Sequence, residues 1–252
     1  MISFSLEGKV ALITGASRGI GEAIAGTLAR YGAHCILASR KIEALKIVEQ
    51  KIVEAGGRAD SIACHMGDIG QIEALIRDIG DHFGKLNILV NNAATNPHYG
   101  PLLSASASLW EKTHEVNIKG PFFLIQKAAP LLEASGGGSI INVASINGIS
   151  PGADRGIYSI TKAGVIMMTK AYARELAPKN IRVNALLPGL TETKFAGALF
   201  DDEAGYREAV KNIPLGRSAR PEEMAGAVLY LASDASSFTT GACLICDGGR
   251  LI

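Results

Sequence analysis

Thr14-Gly15-Ala16-Ser17-Arg18-Gly19-Ile20-Gly21 is the stretch that decides the fold. It follows an apolar run, Lys9 to Thr14, and opens directly into a helical pattern that continues to Tyr31. Gly15 permits a tight turn, Gly19 lets the backbone approach a ligand, and Gly21 lets the helix pack closely on the strand. The helix start that follows presents free N–H groups, so strand, glycine turn and helix in this order make a site for a pyrophosphate. The spacing is GxxxGxG rather than the GxGxxG of the usual dinucleotide fingerprint. It is the strand-to-helix context that gives the triplet its meaning.

Beyond this turn, apolar runs alternate with longer helical stretches, the βαβα rhythm of a parallel sheet. Candidate strands are Lys9 to Thr14, His34 to Ser39, Arg58 to Met66, Leu86 to Asn91, Ser139 to Ala144, Ile181 to Leu187 and Ala242 to Cys246. Most are apolar almost continuously, as strands buried on both faces are. Helical patterns fill the gaps: Gly19 to Tyr31, Ile42 to Ala55, Ile69 to Phe83, Leu109 to Asn117, Pro121 to Glu133, Asp154 to Ala177 and Pro221 to Ser233. The sequence thus predicts α/β architecture: a single Rossmann-type, doubly wound parallel sheet of about seven strands, helices on both faces, spanning residues 1–252. Ligands in such a sheet bind beyond the carboxyl ends of the strands, so the loops after strands are where function is sought. Nothing marks a domain boundary. The irregular stretch 188–215 carries Phe195, Leu199, Phe200 and Tyr206 and reads either as a lid over an apolar pocket or as an ordinary packed helical excursion.

Composition narrows the class further. The chain has 252 residues, 25 basic against 24 acidic, for a net charge of +1, and no Lys/Arg block. It offers no electrostatic footprint for nucleic acid or an anionic membrane. No apolar run approaches a membrane span, and Met1 to Lys9 lacks the regions of a signal peptide. Four cysteines form no disulfide framework and suit a reducing compartment, so the expected location is the cytoplasm. Cys243 and Cys246 make a CxxC, but their odd separation in a strand points them to opposite faces. The five histidines, His34, His65, His82, His98 and His114, show no ligand spacing, and no metal is expected. Trp110 and the Met167-Met168 pair lie in helical patterns and read as core or interface packing.

The second strand ends Ile36-Leu37-Ala38-Ser39-Arg40, where an acidic residue would hold the ribose 2′-hydroxyl of NAD. Arg40, Arg18 and the hydroxyl of Ser39 instead offer two cations and a small polar group to a 2′-phosphate, which favours NADP(H). A solvated Arg40 in a site that takes either cofactor is the alternative. Asp68, after the third strand, accepts a hydrogen bond from the adenine amine or is a simple turn aspartate.

Of the six tyrosines, only Tyr158 has a lysine four residues on, Lys162, so both lie on one helical face. Ser145 stands 13 residues upstream, directly after an apolar strand, at a carboxyl end facing the start of that helix.

With these residues the chain resembles the classical short-chain dehydrogenase/reductase family from about Leu6 to Gly249. The matching features are the Thr14-to-Gly21 turn, Asn91-Asn92-Ala93-Ala94, Asn117, Ser145, Tyr158 with Lys162, Pro188-Gly189 and Asp247-Gly248-Gly249. Ala94 stands where the family more often has glycine, and Thr191 where many members have an aliphatic residue.

The resemblance implies a catalytic set of Asn117, Ser145, Tyr158 and Lys162. Tyr158 acts as general acid in reduction and base in oxidation, its pKa lowered by the Lys162 ammonium and the oxidised cofactor's positive ring. Ser145 donates to the substrate oxygen. Lys162 also holds the nicotinamide ribose, and Asn117 holds a water for proton resupply, unless it merely caps a helix. The implied cofactor site comprises Gly15, Ser17, Arg18, Gly19, Ile20, Gly21, Ser39, Arg40, Asp68, Asn92, Ala93, Ala94, Tyr158, Lys162, Pro188, Gly189, Thr191 and Thr193.

Asn96-Pro97, Pro188-Gly189-Leu190 and Thr193-Lys194-Phe195 look like the carbonyl and retinal reductase branch. Some members of that branch end in a peroxisomal tripeptide, and Arg250-Leu251-Ile252 is not one. The implied activity is reversible NADPH-dependent carbonyl reduction by a homotetramer or homodimer acting on a small-molecule substrate. A 3-oxoacyl-carrier-protein reductase, with Arg155 near the pocket, an NAD-linked alcohol or sugar dehydrogenase, and a non-catalytic dinucleotide sensor are the rivals.

Overall fold

Strand β1 (Val10–Thr14) is buried along its whole length, and its side chains alternate between two apolar layers. Val10 and Leu12 face one layer, Ala11 and Ile13 the other. Such a strand must lie between two layers of helices. The computed structural model describes residues 2–200 and 203–252, without the side chains of residues 196, 198 and 199.

Six further strands complete the sheet: β2 (His34–Ser39), β3 (Arg58–Ala63), β4 (Ile88–Asn91), β5 (Gly138–Val143), β6 (Ile181–Pro188) and β7 (Cys243–Cys246). All pair in parallel, in the order β3-β2-β1-β4-β5-β6-β7. Helices α1 (Gly19–Arg30), α2 (Ile42–Glu54) and α3 (Ile69–Phe83) follow the first three strands, and α4 (Ala107–His114), α5 (Gly120–Ala134) and α6 (Gly156–Leu176) come next. After β6 come the short α7 (Gly197–Phe200) and α8 (Glu203–Lys211), then α9 (Pro221–Ala232).

Residues of α3, α5 and α6 build one apolar layer, and residues of α1, α2 and α9 the other. Leu12, Ile36, Leu89 and Ile140 are fully buried in the first, each contributing roughly 1.5–3 kcal/mol of burial. The sheet is therefore doubly wound, and Cys243 packs on one layer while Cys246 packs on the other. The strand order reverses between β1 and β4. The crevice outside their carboxyl ends is the topological switch point where ligands bind in such sheets.

Most element ends fall within two residues of the sequence reading, and three differences have a visible cause. β3 stops at Ala63 rather than Met66, because the chain turns at His65 and Asp68 caps α3 by accepting from Gln71 N at 3.1 Å. α4 begins at Ala107 rather than Leu109, because the Ser106 hydroxyl caps it. Between α4 and α5 the chain does not break: Glu115–Lys119 form one π turn that carries Asn117. The stretch 188–215 holds α7 and α8. Asp201, Asp202 and the side chain of Leu199 lie outside the described residues.

Candidate active site

At the end of β1 the backbone enters left-handed conformations at Gly15 (φ +66°) and Gly19 (φ +60°), which side chains resist. A Cβ on Gly15 would lie 2.9 Å from Ala93 Cα, and one on Gly21 only 2.3 Å from the Gly15 carbonyl oxygen. The turn is therefore packed too tightly for any side chain. Asn92 fixes it from the loop after β4, donating through Nδ2 to the carbonyls of Thr14 (2.9 Å) and Gly15 (3.2 Å). Thr14 returns the bond, its Oγ1 accepting from Asn92 N at 3.0 Å and Ala93 N at 3.1 Å. Thr14 as a clasp between two loops escaped the sequence reading; a hydroxyl at the end of a wholly buried strand was its signal.

The start of α1 has no side-chain cap, so its first amides are open to an anion. A Cβ on Gly19 would lie 3.1 Å from Thr193 Cγ2, which brings the loop after β6 onto the glycine turn. Pro188 ends β6, and Gly189 and Thr191 follow it in this loop. Gly189 sits against Asp247, whose carboxylate accepts from Gly249 N at 2.8 Å and Leu251 N at 3.0 Å. Thr191 is buried and bridges Ala219. At the end of β2, the Ser39 hydroxyl is buried without a hydrogen-bond partner. Arg40 beside it and Arg18 in the turn are exposed, and neither makes an ion pair among the described residues. A tight glycine cradle, open helix amides, an orphaned hydroxyl and two guanidiniums without ion pairs among the described residues fit a nicotinamide dinucleotide. Asp68 spends its carboxylate on Gln71, which holds its pKa below the usual range, and it stands exposed at the rim.

Ser145, Tyr158 and Lys162 meet beyond β5, all more than nine-tenths buried. Ser145 follows β5 and accepts from Asn147 N at 3.1 Å. Tyr158 and Lys162 lie one turn apart on α6, with Lys162 Nζ 5.5 Å from the tyrosine ring centre. Gly148 seats the Ser145 turn on α6, since a Cβ there would lie 2.7 Å from the Lys162 carbonyl carbon. Burial pushes the Tyr158 phenol up to about 12, against the Ser145 hydrogen bond and the Arg155 charge, which draw it down. Burial also pushes Lys162 down to about 7. In the cofactor-free chain the phenol thus moves opposite to the direction the resemblance implies, because desolvation outweighs every nearby charge. Lys162 Nζ meanwhile donates to the Val143 carbonyl at 2.7 Å.

Asn117 clamps the loop after β4 onto α6. Its Oδ1 accepts from Thr95 N at 2.8 Å, and its Nδ2 donates to Thr95 O at 2.9 Å and Thr161 Oγ1 at 3.0 Å. Over the site lies Phe195, its ring centre 5.6 Å from that of Tyr158, and its carbonyl accepts from the Tyr99 hydroxyl at 3.4 Å. A separate recess of about 490 Å³, lined by Leu190, Leu215, Ile245 and Ile252, lies beside β7 and away from this chemistry. Among the described residues no group of three His, Cys, Asp or Glu side chains is placed to hold a metal, and no helix is long and apolar enough to cross a membrane.

A parallel sheet that cradles a dinucleotide at its switch point and buries a serine, tyrosine and lysine beside it belongs to the nicotinamide-dependent oxidoreductases. Comparison with known proteins narrows the class. A family model described as enoyl-(acyl carrier protein) reductase matches residues 15–250. Dehydrogenase/reductase SDR family member 4 of Oryctolagus cuniculus is 36% identical over 97% of this chain and 94% of its own. The 3-oxoacyl-(acyl-carrier-protein) reductase of Thermotoga maritima is 39% identical over 98% of this chain and 99% of its own. A crystal structure of a gluconate 5-dehydrogenase from Burkholderia cenocepacia, in complex with NADP and tartrate, superposes with a TM-score of 0.94 at 35% identity, covering 98% of this chain and 96% of its own. The chain belongs to the short-chain dehydrogenase/reductase family.

Proposed function

We propose that the protein is an NADP(H)-dependent reductase that interconverts a small-molecule carbonyl compound and its alcohol. The observation that carries this reading is the burial of Ser145, Tyr158 and Lys162 together at the carboxyl edge of the sheet. When bound, the nicotinamide cofactor supplies or accepts the hydride. Tyr158 keeps its proton at neutral pH, since its phenol is pushed up to about 12, and so holds the acid form that carbonyl reduction consumes. Ser145 donates a hydrogen bond to the same substrate oxygen and stabilises the charge that develops there. Lys162 holds the nicotinamide ribose hydroxyls and, as an ammonium, stabilises the tyrosinate left after proton transfer. Asn117 has its side chain committed to Thr95 and Thr161, so its backbone, in a π turn, takes the water for proton resupply.

Gly15, Ser17, Arg18, Gly19, Ile20 and Gly21 cradle the pyrophosphate in this reading. Asn92, Ala93 and Ala94 line the adenosine ribose side, and Asp68 meets the adenine. Pro188, Gly189, Thr191 and Thr193 clasp the nicotinamide, and 188–215 covers the substrate. The preference for NADP(H) over NAD(H) rests on Ser39, Arg40 and Arg18, and related structures with NADP bound support it. The protein works in the cytoplasm as a homotetramer. Exposed Trp110, Phe122, Ile160 and Met167 on α4 to α6, and Ile245 on edge strand β7, support that assembly. A 3-oxoacyl thioester is the second substrate class to test, favoured by the Thermotoga relative's name.

The test is loss of NADPH absorbance, with NADH in parallel, across aldehydes, ketones, diketones and a 3-oxoacyl thioester. Turnover that falls roughly 10²–10⁴-fold in Tyr158→Phe supports the reading. Tight NADPH binding with no turnover of any substrate would instead make the protein a dinucleotide sensor.

A further inference from the structure

The mouth of the site carries a cation that neither the catalytic set nor the cofactor cradle uses. Arg155 stands immediately before α6, three residues ahead of Tyr158. Its guanidinium lies over the Tyr99 ring, 5.3 Å from the ring centre, and among the described residues it makes no ion pair and no side-chain hydrogen bond. Tyr99 in turn donates to the carbonyl of Phe195, whose ring faces Tyr158. Arg155, Tyr99, Phe195 and Tyr158 therefore form a continuous chain of contacts that ends at the phenol. The Arg155 charge reaches that far, because it acts on the Tyr158 phenol itself.

A second observation comes from the loop that carries Tyr99. Asn96 buries both polar atoms of its side-chain amide without a hydrogen-bond partner. Its neighbour Thr95 is clamped at both its N–H and its carbonyl by Asn117, so this part of the loop is fixed. Buried amides left unpaired by the protein are rare, and the described residues offer this one no partner. An apolar ketone would satisfy neither the amide nor the guanidinium.

We propose that Arg155 is the specificity residue of this pocket and that the substrate is a short oxo acid, or the corresponding hydroxy acid, whose carboxylate the guanidinium holds while its carbonyl lies at Tyr158 and Ser145. Asn96 supplies further polar contacts to the same molecule. A planar guanidinium restrained over an aromatic ring is pre-organised for a two-pronged bond to a carboxylate. The three-residue separation of Arg155 and Tyr158 limits the acid to a short one. This inference rests on the reductase reading for the role of Tyr158, but the binding of the acid is separable from the chemistry.

Pyruvate, acetoacetate and levulinate, each paired with its neutral methyl ester, make the probe panel. With NADPH, kcat/KM for at least one acid should exceed that of its ester. Arg155→Met should shrink the acid-to-ester ratio roughly 10- to 100-fold through KM, and Arg155→Lys should restore part of it. Calorimetric binding of the same pairs to the NADP-loaded Tyr158→Phe variant should show the same preference and the same loss on adding Arg155→Met. Binding preference without turnover in the parent protein would sink the reductase reading and leave the carboxylate site standing. Equal handling of acids and esters by the parent protein, or an Arg155→Met effect equal on both, would overturn the proposal and leave Arg155 as a packing cation on Tyr99.

Discussion

Lys162 Nζ donates a 2.7 Å hydrogen bond to the Val143 carbonyl at the end of β5. Among the described residues that is the only hydrogen bond of a side chain that burial pushes from the usual 10.5 down to about 7. The unfolded chain keeps a proton on this lysine up to its ordinary pKa, whereas the folded chain sheds it near pH 7. Stability therefore rises with pH through that window, and the full cost of the buried cation is present below it. In the cofactor-free protein, Lys162→Met should be least affected, or even more stable than the parent, near neutral pH. Its advantage should fall by a few kcal/mol as pH approaches the ordinary lysine pKa. Urea midpoints of the two proteins across this range check it. Cys35 and Cys64, pushed up to about 12, lose stability in both proteins as pH rises past 9 and cancel in the difference. A flat difference would mean that Lys162 carries no desolvation cost.

Phe195 is the apolar cover over Tyr158, with ring centres 5.6 Å apart. Removing the ring admits water, and the phenol, held up to about 12 chiefly by burial, should fall back toward its ordinary value. Phenolate absorbance in Phe195→Ala, corrected by the double variant with Tyr158→Phe, should show a transition at lower pH than in the parent protein. An unmoved transition would assign the shift to the floor of the site rather than to Phe195.

Two glycines of α1 separate geometry from propensity. A Cβ on Gly21 would lie 2.3 Å from the Gly15 carbonyl and 2.5 Å from Asn92 Nδ2, whereas nothing lies within 4 Å of one on Gly26. Gly21→Ala must therefore push the glycine turn off the strand end, costing about 1–3 kcal/mol as overpacking does, and nucleotide binding with it. Gly26→Ala only improves helix propensity and should stabilise by about 0.5–1 kcal/mol. Thermal melts with and without NADPH distinguish the two.

The strands were legible because a doubly buried strand writes both faces in apolar residues, and Thr14 to Gly21 marked the tight turn from the first of them into α1. The shared face of Tyr158 and Lys162 was legible because a helix brings residues four apart together by spacing alone. What the chain order could not carry lies in loops that meet only in three dimensions. Thr14 clasps Asn92 across 78 positions, and Tyr99 reaches Phe195 across 96. The direction of the Tyr158 shift was hidden for the same reason, since it depends on how much of the fold closes over the phenol. The helices α7 and α8 are short and lie in a stretch without a long apolar period, so 188–215 shows only its aromatic residues in sequence.

Cofactor preference is the sharpest test of the reading at the end of β2. Ser39 offers a buried hydroxyl with no partner among the described residues, next in sequence to exposed Arg40, and exposed Arg18 stands in the glycine turn. A 2′-phosphate brings close to two negative charges to that spot, and each charge-assisted hydrogen bond it gains is worth about 1.5–3 kcal/mol. Arg40→Asp replaces one such bond with repulsion and supplies an acceptor for a free ribose hydroxyl. The ratio of kcat/KM for NADPH over NADH should then fall by roughly 10²-fold or more, mostly through the KM for NADPH, with NADH use improving. Arg18→Ala should lower NADPH use without helping NADH, because it removes a cation and adds no acceptor. If Arg40→Asp leaves the ratio unchanged, Arg40 is a solvated residue at the head of α2 and the site takes both cofactors on its glycine turn alone.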